Sequence, residues 1–112
     1  MSAAQTVGII GVGHLIKHMV PAMVRSPHQF ILSERGRETS AKLAEQYGLE
    51  VVNDNQEIVD RSDIVILAVR PYDALEVAGA LNWREGQTVL SLCAGTVASD
   101  LIPVIEPARM VM

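Results

Sequence analysis

Gly11 and Gly13 are the residues whose type and spacing point most directly to chemistry. They stand where a short apolar run, residues 7–10, gives way to the helical pattern of residues 14–25. Gly11 permits a tight turn after a strand, and Gly13 lets the backbone approach a ligand without a Cβ atom in the way. The free N–H groups and the positive dipole end of the following helix then receive an anion. The spacing predicts a phosphate-binding turn.

Glu34 adds a second part to this pattern. It lies 21 positions past Gly13, at the end of a second predicted strand, where a carboxylate accepts hydrogen bonds from ribose hydroxyls. A strand, two glycines, a helix and an acidic residue in this order indicate a dinucleotide site; a plain glycine turn is the alternative. Ile16 departs from the pattern, because the third glycine position normally holds Gly or Ala. Pro21 should kink the helix near residue 17.

Residues 33–37 bear on which dinucleotide is bound. Glu34 favours NAD, because a carboxylate repels a 2′-phosphate, whereas Arg35 and Arg37 attract that phosphate through charge-assisted hydrogen bonds. Ser33 adds a hydroxyl at the same place. We favour NADP. NAD, or a solvated charge cluster that does not discriminate between the two, remains the alternative.

Short β-branched runs alternate with helical patterns along the chain. We predict strands at residues 7–10, 30–32, 50–52, 64–69, 88–92 and 109–112, and helices at 14–25, 37–47, 56–61, 73–82 and 99–105. Gly48 ends the second helix, Asn55 caps the third, and Pro103 belongs in the first turn of the last. Strands that are apolar on both faces lie in a parallel sheet with helices on both sides. The predicted fold is a doubly wound, Rossmann-like α/β sheet of about six mainly parallel strands.

Composition limits the function classes. The chain has 112 residues, of which 49% are hydrophobic and 20% charged, so we expect one folded domain over residues 1–112 and exclude intrinsic disorder. A net charge of −4 argues against nucleic-acid partners and an anionic membrane surface, and four aromatic residues offer little for base stacking. The longest aliphatic run, residues 64–69, is far shorter than a membrane helix needs.

The cysteine count and the two chain ends bear on the cellular context. Cys93 is the single cysteine, which excludes a disulfide scaffold and favours a reducing compartment. The first six residues hold no basic segment of the kind that opens a secretory signal, so we expect a cytoplasmic protein. Residues 108–112 end inside an apolar segment, so we expect that the chain was cut from a larger protein or that its gene is truncated; a terminal edge strand is the alternative.

Histidine and cysteine offer two further chemistries. His14 and His18 have a helical spacing that suits zinc, but Leu15 stands where the metalloprotease pattern requires Glu, and no third ligand is near in sequence. Cys93 has no recognisable base beside it, so we expect a small buried residue rather than a nucleophile. We therefore predict no metal site, and the catalytic residues stay unassigned.

Five blocks of sequence together resemble one family. They are residues 10–15, 33–35, 54–57 with 62–63, 67–71, and 91–95. In this combination the chain resembles the N-terminal, cofactor-binding half of pyrroline-5-carboxylate reductase across essentially all of its length. The family usually has Asn or Gln at the position of His14, Lys at Arg70, and Ala or Gly at Ile16. This chain therefore departs from the family pattern at three positions.

The resemblance implies where a dinucleotide lies. The pyrophosphate would be held by Ile10, Gly11, Val12, Gly13, His14 and Leu15. The adenosine ribose and its 2′-phosphate would meet Ser33 and Arg35, beside Glu34, with Asn55 on the adenosine side. The nicotinamide end would be lined by Ala68, Val69, Arg70, Pro71, Cys93 and Ala94. This arrangement agrees with the general rule that ligands bind outside the carboxyl ends of parallel strands.

The resemblance also implies an activity. Reductases of this family transfer a hydride from NADPH, or from NADH, to the C=N carbon of a cyclic imino acid and so make proline. Their second, helical half forms the homo-oligomer and most of the imino-acid pocket, so this chain alone is expected to be inactive. The alternatives are a lobe of an F420/NADP-type or β-hydroxyacid-type oxidoreductase, or a non-catalytic nucleotide-binding module.

Overall fold

Strands and helices alternate in the computed structural model, which describes residues 5–11, 19, 21–22, 25, 28–33, 37–69, 73–91 and 98–111. The strands are β1 (Thr6–Ile10), β2 (Gln29–Ser33), β3 (Glu50–Val52), β4 (Ile64–Leu67), β5 (Thr88–Ser91) and β6 (Arg109–Val111). The helices are α1 (Arg37–Tyr47), α2 (Asn55–Arg61), α3 (Ala74–Gly79) and α4 (Ala98–Ile105). Within these residues no helix is long and apolar enough to cross a bilayer.

The strands form one parallel sheet in the order β3-β2-β1-β4-β5-β6. β1 lies in the middle, with Ile9 paired to Leu32 of β2 on one side and to Ile66 of β4 on the other. Parallel neighbours need crossover connections, and these are right-handed, so the two halves of the sheet carry their connections on opposite faces. The predicted doubly wound α/β fold is confirmed.

Two apolar clusters cover the two faces of the sheet, and adjacent residues of one strand enter different clusters. Ile9 lies in the smaller cluster, against which Tyr47 of α1 packs. Ile10 lies in the larger cluster, whose helical members come from α2, α3 and α4 and are Ile58, Val59, Ala74, Ala78 and Ile105. Ile9 and Ile10 are both completely buried. Because strand side chains alternate between faces, a strand covered on both sides must be apolar at every position.

The ends of α1 and α2 test the predicted helix signals. α1 spans the predicted residues, and Gly48 follows it with φ +69°, the left-handed conformation common just past a helix. The predicted cap Asn55 is wrong, because Asn55 is already the first helical residue and Asp54 caps α2 instead. Asp54 has extended backbone, and its Oδ1 accepts the N–H of Gln56 at 3.0 Å. Asp and Asn cap equally well, so residue type alone did not separate them.

Several other boundaries differ from the predicted ones. β4 ends at Leu67 instead of residue 69, because the chain then turns against the end of β1. α3 ends at Gly79 instead of residue 82, and β2 extends from Gln29 to Ser33. Pro103 lies inside α4 rather than in its first turn, since α4 begins five residues earlier. Of the predicted helix at 14–25, only Met19, Pro21 and Ala22 are described as helical; the predicted kink near residue 17 lies outside the described residues.

The loop after α3, residues 80–87, is hydrogen-bonded to the carboxyl end of α2. Gln87 is 1% exposed, and its Nε2 donates to the carbonyl oxygens of Val59 at 2.7 Å and Ser62 at 3.0 Å. Arg84 donates to the same two carbonyl oxygens, at 3.1 Å and 2.8 Å. A helix leaves its last carbonyl groups without partners, and these side chains supply donors for them. The loop thereby fixes the helix that carries the chain from β3 to β4.

Candidate functional site

The carboxyl ends of β1, β2 and β4 meet at the centre of the sheet. The sheet runs from β1 to β2 and β3 on one side and to β4, β5 and β6 on the other. Sheets of this topology bind ligands in a crevice at this edge, between the connections of the two sides. Gly11 follows β1, Ser33 ends β2 and Ala68 follows β4, so these residues stand at the crevice.

Gly11 is packed directly against the backbone that follows β4. It has φ +88° and is buried. A Cβ atom placed on it would lie 2.7 Å from the nitrogen of Val69 and 2.8 Å from the carbonyl carbon of Ala68. The N–H of Ala68 donates to the carbonyl of Ile10 at 2.8 Å, which continues the strand pairing to this point. Glycine is required here both for its positive φ and for this close approach.

Ser33 joins the end of β2 to the same turn. Its Oγ accepts the N–H of Gly11 at 2.9 Å, and the serine is 1% exposed. This amide is therefore engaged inside the protein. Within the predicted pyrophosphate turn, residues 10–15, the N–H of Gly11 is thus occupied by Ser33, and residues 12–15 lie outside the described residues.

The Ser33–Gly11 hydrogen bond is a contact that sequence reasoning missed. The family resemblance assigned Ser33 to the adenosine ribose and its 2′-phosphate. A signal was present, since a polar residue closes the otherwise apolar run Phe30-Ile31-Leu32, and a buried hydroxyl needs a partner. The partner lies 22 positions earlier, so finding it required the pairing of β1 with β2.

Asn55 lies on the outer side of the crevice. It is the first residue of α2 and is partly buried. The strand before it, β3, pairs with β2 through Val52 and Ser33, so the chain between Val52 and Asn55 leaves the sheet beside Ser33. Strand β2 thus lies between the start of α2, at Asn55, and Gly11. This is the side on which an adenosine contact was predicted.

The structure brings together five of the predicted site residues and leaves others outside the described residues. Ile10, Gly11, Ser33, Ala68 and Val69 meet at the ends of β1, β2 and β4. The rest, apart from Asn55, lie outside the described residues, namely Val12, Gly13, His14, Leu15, Glu34, Arg35, Arg70, Pro71, Cys93 and Ala94. His18, which was weighed with His14 as a zinc pair and not assigned as a ligand, also lies outside them. The five that meet carry no formal charge, so a ligand here would be held by backbone groups, shape and the flanking residues.

A groove of about 360 Å³ lies at the amino ends of the strands, on the side of the sheet opposite the candidate site. His28, Tyr47 and Arg61 line it, at the amino ends of β2 and β3. Arg61 donates to both carboxylate oxygens of Glu50, at 2.7 Å and 2.8 Å, and this hydrogen bonding lowers the pKa of Glu50. Because parallel sheets bind ligands at their carboxyl ends, the volume of this groove does not make it the candidate site.

A family model agrees with this geometry. The model described as NADP oxidoreductase, coenzyme F420-dependent, matches residues 6–95, from the start of β1 to beyond the end of β5. The chain belongs to this NADP oxidoreductase family. The residues that the family model matches include Gly11, Ser33 and Ala68, which lie at the carboxyl ends of β1, β2 and β4.

Comparison with individual proteins makes the similarity more specific. Pyrroline-5-carboxylate reductase 1 of Bacillus spizizenii is 33% identical over 100 residues, which are 83% of this chain and 34% of that protein. The crystal structure of the Streptococcus pyogenes 1-pyrroline-5-carboxylate reductase matches with a TM-score of 0.79 at 29% identity, over 95% of this chain and 39% of that one. The predicted resemblance to pyrroline-5-carboxylate reductases is confirmed.

Two further facts define the reach of these matches. Prephenate dehydrogenase from Aquifex aeolicus matches with a TM-score of 0.81 at 21% identity, which shows a shared fold. The chain spans about a third of the length of the curated relatives it matches. The expectation of an oxidoreductase with a nicotinamide cofactor agrees with the family.

Proposed function

We propose that this chain is the NADP(H)-binding half of a reductase that converts pyrroline-5-carboxylate to proline. The observation that carries the proposal is the glycine turn at the end of β1, where Gly11 has a positive φ and packs against the backbone after β4. Glycine here lets the turn lie directly against the backbone after β4, which agrees with the tight glycine turn of dinucleotide-binding sheets. The identity to pyrroline-5-carboxylate reductases supports the substrate class.

Each part of the dinucleotide has its own set of residues in this proposal. The pyrophosphate lies on the turn formed by Ile10, Gly11, Val12, Gly13, His14 and Leu15. The adenosine end lies beside Ser33, Glu34, Arg35 and Asn55, where Arg35 attracts the 2′-phosphate and so favours NADP over NAD. The nicotinamide end lies on Ala68, Val69, Arg70, Pro71, Cys93 and Ala94. The partial burial of Asn55 at the start of α2 is compatible with an adenosine contact.

The chemistry divides between the cofactor and the protein. When bound, the reduced nicotinamide supplies the hydride for the C=N carbon of a cyclic imino acid. The residues of this chain bind and orient the dinucleotide, which places the two reacting carbons together and lowers the entropic barrier. The proton comes from water or from a group outside this chain, because the proposed site residues include no evident general acid.

The proposal extends to the organisation of the whole protein. Residues 1–112 form one dinucleotide-binding domain, and a helical domain in the rest of the protein forms most of the imino-acid pocket and the homo-oligomer contacts. The partner is thus a small-molecule substrate and neither a nucleic acid nor a membrane. The single cysteine supports the cytoplasm, a reducing compartment, as the location.

An activity assay tests this function on a protein that contains this segment and has the length of its relatives. We expect oxidation of NADPH that depends on pyrroline-5-carboxylate and yields proline. The double variant Arg35→Ala/Arg37→Ala should raise the KM for NADPH by a factor of roughly ten or more while changing the KM for NADH little, because even one charge-assisted hydrogen bond contributes about 1.5–3 kcal/mol.

The control for this assay is Lys42→Ala, which removes one positive charge from an exposed position on α1. It should leave both KM values unchanged. Binding of NADPH without turnover of pyrroline-5-carboxylate would contradict the substrate, and an equal effect of the arginine variant on NADPH and NADH would contradict the assignment of the 2′-phosphate.

Hydride exchange between NADP and coenzyme F420 is the second candidate function. The description of the matching family model names both of these groups, which favours it. The same assay separates the two candidates, because this function predicts reduction of NADP by reduced F420 and no consumption of pyrroline-5-carboxylate.

A further inference from the structure

Ser33 makes a buried contact that the proposed function does not use. Its hydroxyl oxygen accepts the N–H of Gly11 at 2.9 Å. We propose that Ser33 is a positioning residue, which holds the glycine turn in the conformation that receives the pyrophosphate instead of contacting the 2′-phosphate. This inference rests on the proposed function, since it names how one residue serves the same site.

The geometry around Gly11 shows how firmly the turn is held. On the side of β2, the hydroxyl oxygen of Ser33 accepts a hydrogen bond from the N–H of Gly11. On the side of β4, the backbone of Ala68 and Val69 lies within 2.8 Å of where a Cβ atom would stand. The carbonyl of the preceding residue, Ile10, accepts the N–H of Ala68 at 2.8 Å. The first residue of the turn is thus fixed from both neighbouring strands.

The burial of Ser33 argues for this role over a direct ligand role. The residue is 1% exposed, so its hydroxyl has almost no surface to offer a phosphate group. A 2′-phosphate is strongly hydrated and is better met by cationic donors, such as those of Arg35 and Arg37, than by a buried hydroxyl. The hydroxyl, by contrast, meets the amide of Gly11 at a distance typical of a good hydrogen bond.

The consequence for binding is preorganisation. A turn that already has its bound conformation spends less free energy on ordering when the ligand arrives. Loss of the Ser33 hydroxyl leaves a buried N–H group on Gly11 without its acceptor, so the turn either rearranges or binds water. Any ligand that uses the amides after Gly11 then binds more weakly, whether or not it carries a 2′-phosphate.

The test compares the full 112-residue chain with its Ser33→Ala variant in titrations with NADPH, NADH and adenosine 2′-monophosphate. We expect the Kd values for NADPH and NADH to rise by the same factor, roughly three- to tenfold, as one lost hydrogen bond implies. The Kd for adenosine 2′-monophosphate, which has no pyrophosphate, should stay unchanged.

Ser62→Ala is the matched control. Ser62 is also a buried serine, and its hydroxyl donates to the carbonyl of Ile58 at 2.6 Å, just before β4 and at the opposite edge of the sheet from the turn. The same atom is removed in both variants, so a general loss of stability affects both. We expect Ser62→Ala to leave all three Kd values unchanged.

Two results overturn the positioning role. One is a selective loss of NADPH and adenosine 2′-monophosphate binding with NADH unaffected, which makes Ser33 a phosphate ligand. The other is no change for any of the three probes. If the unsubstituted chain binds neither dinucleotide, the proposed function fails first, and the positioning role fails with it.

Amide hydrogen exchange gives a readout that needs no ligand. The N–H of Gly11 should exchange roughly tenfold faster in Ser33→Ala than in the unsubstituted chain or in Ser62→Ala. Ser33→Cys keeps a small buried side chain with a weaker acceptor, so its exchange rate and its dinucleotide Kd values should lie between those of serine and alanine. Unchanged exchange at Gly11 in Ser33→Ala contradicts the proposal.

Discussion

Gly11 shows how one residue can be specified by two independent constraints. Its positive φ is a backbone conformation that is energetically unfavourable for other residues. The position that a Cβ atom would take on it overlaps the backbone of Ala68 and Val69. The first constraint comes from the chain itself and the second from the neighbouring strand. Because both act at the same atom, no side chain can be accommodated by local adjustment alone.

Gly11→Ala should destabilise the fold and weaken cofactor binding together. The unfavourable φ and the overlap with the backbone after β4 should lower the free energy of unfolding by at least about 2 kcal/mol. Urea unfolding followed by circular dichroism measures the first effect, and titration with NADPH measures the second.

Gly79→Ala is the control for this prediction. Gly79 ends α3, has no positive φ, and has no neighbouring atom within 4 Å of the place that a Cβ atom would take. Alanine there should be neutral or stabilising by up to about 1 kcal/mol, because it restricts the unfolded chain. If Gly11→Ala is as stable as Gly79→Ala, the account of the turn is wrong.

At the residue scale, the sequence predicted the backbone conformation that a residue requires more readily than the residues that it contacts. The need of Gly11 for a tight turn could be inferred from its place between a strand and a helix. The need of Gly8 could not, because a Cβ atom there would lie 2.5 Å from Cγ2 of Ile58 and against the hydroxyl of Ser62. That contact depends on how closely α2 crosses β1, which a pattern in one segment does not contain.

α2 is the element that joins the two halves of the sheet. It begins beside β3 at one edge, packs Ile58 and Val59 into the larger core cluster, and delivers the chain to β4 at the centre. Its carboxyl end is held by the 80–87 loop through Gln87 and Arg84. The position of β4, and with it the far side of the crevice, therefore depends on these donors.

Gln87→Ala should lower the free energy of unfolding by about 2 kcal/mol, because the carbonyls of Val59 and Ser62 each lose a buried donor. Arg84→Ala should cost about 1 kcal/mol, since its guanidinium is more exposed. The double variant should lose more than the sum of the two, because each carbonyl then loses both of these side-chain donors. Urea unfolding of the three variants measures the coupling.

Gln46→Ala provides the comparison for this cycle. Gln46 is exposed on α1, and its amide donates only to the neighbouring Tyr47 hydroxyl, at 3.3 Å, among the described residues. Its loss should change the free energy of unfolding by less than about 0.5 kcal/mol. Additive effects of Gln87→Ala and Arg84→Ala would show that the two side chains do not share the end of α2.

Helix starts and stops were predictable where a single residue decides them. Gly48 ends α1 because its φ of +69° suits glycine, and that signal is local. The start of α2 depended on two adjacent residues of equal capping strength, Asp54 and Asn55. The end of α3 at Gly79 depends on the loop that follows it, in which the Nε1–H of Trp83 donates to the carbonyl of Ala78 at 3.0 Å. Such tertiary contacts are not visible in helical periodicity.

The architecture of the whole molecule followed from the alternation of apolar runs with helical patterns. Strands such as Ile64–Leu67 are buried on both faces, which requires a covered parallel sheet, and right-handed crossovers then leave few strand orders. The observed order puts β1 at the centre and its glycine turn at the reversal point of the sheet. The place of the candidate site was therefore predictable from the fold, whereas the hydrogen bond that holds it was not.

The central claim is that a dinucleotide binds at the carboxyl ends of β1, β2 and β4. Titration of the isotope-labelled chain with NADPH, followed through backbone amide resonances, tests it most directly. The account predicts saturable shifts at Gly11, Ser33 and Val69, with the residues of the opposite groove, such as Gln29 and Glu50, unaffected. Saturable shifts confined to that groove, or no saturable shift at all, would contradict it.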